Sequence, residues 1–272
     1  MELPIAAAAA LLYALFLALR TPRRTPARRA EGLAQLKGLR QLLEHLQQHR
    51  GLSTGYLGGD HSLKHKVEQT RATIRADLNR LDATSLAEHE RWVSLTDHWS
   101  RLERTSLSLP VGDNLKQHNQ LIANLLQLIE DIAAQYQLLF VSHPGDGVGT
   151  LWRELLYTTE WLGQARALGT GIAAAGQSTG VERIRLSFLC ERIQALSSVA
   201  HNKLQGQGRL QSLQEASRTV GTLLSVIEDE FLSEAAPKLP ATAYFDQATQ
   251  AIGAQFAVVD EMLRMLQGRY QA

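Results

Sequence analysis

Two stretches 116 residues apart carry the same pattern, which confines the chain to folds built from two copies of one unit. In the first, Leu36, Leu39, Leu43, Leu46, Arg50, Ser53 and Leu57 recur at alternating steps of three and four, the seam of a helix packed among other helices. In the second, Trp152, Leu155, Thr159, Leu162, Arg166, Gly169 and Ala173 fall at the equivalent places. HRGLSTGYL at 49–57 therefore corresponds to ARALGTGIA at 165–173, with arginine, leucine, threonine and glycine kept. Each copy sets an arginine where the seam calls for a leucine. An isolated buried charge costs several kcal/mol, so such an arginine either pairs with a carboxylate on a facing helix or receives an anion.

The rest of the chain follows the same helical period. Aromatic residues are 6% of the chain, β-branched runs are absent, and Leu, Ala and Gln recur throughout, a composition that favours helix. The periodicity predicts helices over 31–57, 62–82, 86–105 and 113–140, then a break at 143–147. The repeat begins again near Trp152, and further helices are predicted at 180–204, 209–234 and 241–268. Short connections between amphipathic helices suggest an all-α architecture of two tandem antiparallel four-helix bundles, at 31–142 and 148–270.

Before the bundles, residues 3–19 form an uninterrupted apolar run, LPIAAAAALLYALFLAL. Its flanks resemble a membrane anchor more than a cleaved leader, because Glu2 precedes it while Arg20, Arg23 and Arg24 follow. The positive-inside rule expects a single-pass anchor over residues 1–20 with the body in the cytoplasm, a periplasmic body being the alternative. Pro22 and Pro26 mark residues 21–30 as a basic juxtamembrane linker.

Charge and motifs narrow the function. Residues 1–30 hold five arginines against Glu2, which leaves 23 basic and 26 acidic residues in the body, about −3. Such a body lacks the basic face of a nucleic-acid binder. Cys190 is alone, so no internal disulfide or thiolate metal centre is expected. No phosphate loop, nucleophile elbow or spaced zinc motif is present, so neither an enzyme nor a cofactor is expected. His118 lies on a seam and reads as hydrogen-bonded core; His45 and His49 lie off the seam and read as solvated.

HRGLSTGYL after its leucine-rich helix resembles the signature of the nitrate- and nitrite-sensing domain family. HNQLIANLLQLIEDIA at 118–133, GQARALGTGIAAAG at 163–176 and AYFDQATQAI at 243–252 support the resemblance, which covers about residues 31–268. It implies a double four-helix-bundle input domain of bacterial signalling proteins that binds nitrate or nitrite through arginines. Family members join this domain to an antiterminator, a histidine kinase or a chemoreceptor. No output module is recognised here, so signalling through a separate partner protein is expected. Self-association would suit a helical sensor, although no heptad outside the bundles demands it.

Nitrate is a planar monoanion with three acceptor oxygens, and a guanidinium fork can meet it through two parallel hydrogen bonds. Arg50 is the first candidate ligand, with Ser53 and Thr54 within a turn of it completing the donor set. Arg166 is the second, with Glu154 and Glu160 on its own helix as competing partners. Arg218 is the third, although it lies one position off the seam of its helix, where a solvated arginine is the alternative. The expected function is a membrane-anchored nitrate/nitrite sensor in the bacterial inner membrane. The competing reading is a tethered helical adaptor that keeps the fold and no longer binds an anion.

Overall fold

A computed structural model describes residues 26–138, 151–205, 211–233 and 236–271. These residues form eight α-helices and, among them, no strand: α1 (Pro26–Gly58), α2 (Lys64–Asp82), α3 (Glu90–Thr105), α4 (Val111–Gln135), α5 (Leu151–Ala175), α6 (Gly180–Gln205), α7 (Gln211–Ile227) and α8 (Ala241–Gln271). No described helix is long and apolar enough to cross a membrane. The anchor expected at 3–19 and the break expected at 143–147 lie outside the described residues.

Element ends depart from the sequence reading where local chemistry intervenes. Pro26 opens α1 instead of blocking it, because the first helical turn has no use for the missing N–H; residues 26–30, expected as linker, are therefore helical. The third helix does not begin at residue 86. Ser85–Glu88 is a 3₁₀ turn capped by the Thr84 hydroxyl, and the extended His89 then caps α3 by accepting from the Arg91 N–H at 3.2 Å. α4 ends at Gln135, two residues before Gln137 takes a left-handed backbone, φ 57°. After α7, Glu228–Leu232 is wound as one π-helical turn that seats Phe231 edge-on against Tyr244, ring centroids 4.8 Å apart.

α1 and α5 lie at the centre and run in the same direction. Gln47 bonds to Glu160, Gly51 approaches Arg166, Gly55 meets Thr170 and Gly58 meets Gly171, so contacts advance together along both helices. The two copies of the motif thus lie side by side, in the register of the repeat. α4 runs antiparallel to α1, with Tyr136 against Gly32 and Asn114 against Ser53 and Thr54. α8 is also antiparallel to α1, as Lys37–Gln267, Arg40–Asp260 and the approach of Phe245 to Gly51 show. Flanked on several sides, α1 buries every residue from His49 to Gly55 and α5 every residue from Ala165 to Thr170. One continuous apolar core joins Leu36 and Leu43 of α1, Trp92 and Trp99 of α3, Trp152 of α5 and Val259 of α8.

Close approach at one glycine fixes how α5 meets α8. A Cβ at Gly169 would stand 2.4 Å from the Tyr244 ring, which is fully buried and donates its hydroxyl hydrogen to the Ala165 carbonyl at 3.0 Å. Gly169→Ala is expected to overpack this contact and lower unfolding free energy by about 1–3 kcal/mol in urea denaturation.

Candidate anion site at the paired arginines

Arg50 and Arg166 are both fully buried, at 0% exposure, and their environments differ sharply. Arg50 is paired. Its Nη1 and Nη2 donate to the two carboxylate oxygens of Glu160 at 2.6 and 3.1 Å, a side-by-side contact, and Nη1 also donates to Asn119 Oδ1 at 2.6 Å. Gln47 and Gln164 donate to the same carboxylate, at 3.0 and 2.9 Å. Gly163 makes room for this arrangement, since a Cβ there would lie 2.7 Å from Arg50 Nη2. Glu160, which the sequence reading set against Arg166, therefore belongs to Arg50 across the helix interface.

Arg166 has no such partner. Its Nη1 donates to the Thr249 hydroxyl at 2.9 Å, and its guanidinium carbon lies 4.8 Å from the centre of the Phe245 ring. Nε and Nη2 meet no acceptor among the described residues. Burial, followed by the nearby positive charge of Arg50, pushes its pKa down to about 9, so the side chain remains charged at neutral pH. Glu44 holds the place in the first copy that Glu160 holds in the second, yet it accepts from Arg40 at 2.6 Å. Arg40 in turn pairs with Asp260 and lies over the Phe256 ring. The carboxylate that the repeat would offer Arg166 is thereby held elsewhere.

Other candidates take different roles. Ser53 and Thr54 do not present free donors beside Arg50: both hydroxyls donate back to the Arg50 carbonyl, at 3.1 and 2.7 Å, and both accept from Asn114 Nδ2. Thr170 repeats the Thr54 bond on the Arg166 carbonyl at 2.7 Å. Arg218 is 62% exposed and paired with Glu215 one turn away, so it is a surface arginine, unlike the buried pair. Among the described residues no group of three His, Cys, Asp or Glu side chains could hold a metal ion.

His49, expected to be solvated, is fully buried next to Arg50. His118 Nδ1 lies 2.8 Å from the Asn114 carbonyl, which can only accept, so Nδ1 carries the proton and Nε2 accepts from His49 Nδ1 at 2.8 Å. His49 Nε2 then accepts from Arg71 Nε at 3.3 Å. Both rings are therefore neutral. Burial, followed for His49 by the fields of His118 and Arg71, holds its pKa well below the ordinary histidine value. Burial outweighs the Asn114 hydrogen bond and pushes His118 down to about 3.

The sequence reading missed the partners that complete this region: Gln47, Asn114, Asn119, Gln164, Tyr244, Phe245 and Thr249. Most of them lie in the four stretches that carried the family resemblance. HRGLSTGYL brings Arg50, the second stretch Asn119, the third Gln164 and Arg166, and the fourth Tyr244, Phe245 and Thr249.

A solved structure, that of the NasR transcription antiterminator, superposes with a TM-score of 0.71 over 96% of this chain and 74% of that one, at 17% sequence identity. A search of curated protein sequences found no match. The family profile described as nitrate and nitrite sensing matches residues 41–267, which include both arginines and all four stretches. The chain belongs to the nitrate- and nitrite-sensing family.

Proposed function

We propose that this chain is a nitrate/nitrite-binding sensor, in which the anion is taken up at the α1–α5 interface by Arg166 and Arg50. The carrying observation is Arg166: a buried, charged guanidinium whose Nε and Nη2 have no acceptor, beside a second buried arginine. A small planar oxyanion supplies both the missing acceptors and the missing negative charge. Because α1 and α5 each contribute one arginine, an anion between them favours one packing of the two helices over another, the condition for a ligand to shift an equilibrium. In this reading the eight helices form two antiparallel four-helix bundles, 31–142 and 148–270. Residues 3–19 anchor the chain in the bacterial inner membrane with its body in the cytoplasm, and a separate signalling protein receives the rearrangement.

Calorimetric and thermal titration of the purified chain with nitrate, nitrite and chloride tests the proposal. Nitrate or nitrite at about a hundred times its Kd is expected to add about 2.7 kcal/mol of stability, and Arg166→Met is expected to abolish the gain. Absence of both heat and melting shift with millimolar nitrate and nitrite would reject a sensor. The adaptor reading has the Arg50–Glu160 pair in its favour, an arginine whose charge is met by a carboxylate although its Nε finds no acceptor among the described residues. It leaves Arg166 without a reason to be charged and buried. For the topology, a reporter fused after Ala272 that is active only outside the cytoplasm would reverse the orientation.

A further inference from the structure

We propose that Glu160 is a built-in competitor for the anion: its carboxylate occupies the oxyanion position on Arg50, and its grip sets the affinity of the site. The proposal rests on the sensing function inferred above and concerns its regulation. A carboxylate, like nitrate, is planar and offers two oxygens with one negative charge to a guanidinium fork. Glu160 meets Arg50 in that manner, at 2.6 and 3.1 Å, and among the described residues no other carboxylate hydrogen-bonds to Arg50. The donors behind it, Gln47 and Gln164, are neutral amides that serve an inorganic oxyanion as readily as a side chain. Arg50 is closed to solvent while the Glu160 side chain retains 9% exposure, so the carboxylate stands on the outer edge of the pair.

The repeat supplies an internal control. Glu44 stands where a second competitor would be, but it is hydrogen-bonded to Arg40 and acts on Arg166 only as a nearby negative charge. Of two arginines equivalent in sequence, one carries an internal anion and the other does not. An incoming anion therefore meets Arg166 without displacing a bonded carboxylate, whereas engaging Arg50 requires Glu160 to let go. Glu160 sits on α5 and Arg50 on α1, so its release breaks the ion pair that ties the two central helices together.

The test is nitrate titration of the purified full chain and of Glu160→Gln, read by calorimetry and by melting with and without sodium nitrate, with sodium chloride as control. Glu160→Gln keeps the shape and removes the charge, leaving two buried arginines without a counter-charge. It is expected to melt lower than wild type in chloride, to recover that loss in nitrate, and to bind nitrate about tenfold tighter, the equivalent of ~1.4 kcal/mol. Glu160→Asp, which shortens the reach by one methylene while keeping the charge, is expected to bind nitrate more tightly than wild type and decides the matter if Glu160→Gln does not fold. Wild-type binding with neither variant tighter, or a melting loss in Glu160→Gln that nitrate does not recover, overturns the competitor role and leaves the sensor. No binding of nitrate or of sodium nitrite, titrated in the same way, by wild type or by either variant overturns the sensor itself, and the competitor role with it.

Discussion

Arg50→Ala is expected to cost the fold about 3–5 kcal/mol, because it strands the buried Glu160 carboxylate opposite an empty space. Glu160 would keep its bonds from Gln47 and Gln164, but these neutral amides do not replace a positive charge; Asn119 Oδ1 would also lose its donor. Arg166→Met, at the equivalent position of the second copy, is expected to be neutral or stabilising in the absence of anion, since it removes a buried charge that has no carboxylate partner. Two substitutions at equivalent positions thus have opposite consequences. Urea denaturation in chloride buffer measures both. The double variant Arg50→Ala with Glu160→Leu is expected to recover part of the single variant's loss, since neither member of that ion pair is then left behind. A cost for Arg166→Met as large as that for Arg50→Ala would show that the asymmetry between the two sites is wrong.

Acid is expected to unfold the protein earlier than its carboxylates alone require. His49 and His118 are neutral in the fold, with pKa values held below the ordinary 6.5, while the unfolded chain takes up protons on both near that value. The unfolded state therefore binds more protons as pH falls below about 6.5, and each histidine removes about 1.4 kcal/mol of stability per pH unit. For His118 the loss continues until its folded value near 3. At about pH 5 His118 alone would remove roughly 2 kcal/mol, and His49 adds to the loss in the same direction. The contribution is complete above 6.5 and lost on acidification, the sign expected for buried neutral bases. His118→Gln is expected to make the dependence of the urea midpoint on pH about half as steep over this window. An unchanged slope would show that the ring titrates normally in the fold.

The seam spacing made much of this arrangement legible. Leu36, Leu39, Leu43 and Leu46 are buried as their spacing requires, and so are Trp152, Leu155 and Leu162 in the second copy. Both arginines sit inside, as a leucine slot demands. The identity of each arginine's partner was not legible, because it depends on α1 and α5 lying parallel in the repeat register. Glu160 looked like a partner for Arg166 because the two are close in sequence. Six residues is about a turn and two-thirds, however, so they leave the helix in different directions. His49 was misjudged for a related reason. Reading a seam presumes one buried stripe and a wet opposite face, whereas α1 is covered by α2, α4, α5 and α8 and has no wet face at that height. Ser53 is buried as its seam position requires; that its hydroxyl and that of Thr54 turn back onto their own helix is a local competition that spacing does not reveal.

The length of α1 has a mechanical consequence. It runs unbroken for 33 residues, and Arg50 lies 24 residues beyond its first residue, Pro26. At 1.5 Å per residue that separation is about 36 Å. A rod of that length turns a tilt of about 5° at the buried charges into a sweep of roughly 3 Å at its far tip. Pro26 is that tip, the point where the described chain joins residues 1–25. The helix that carries Arg50 has in this sense the geometry of a lever arm, on which any tilt at the buried charges would be enlarged at the Pro26 end.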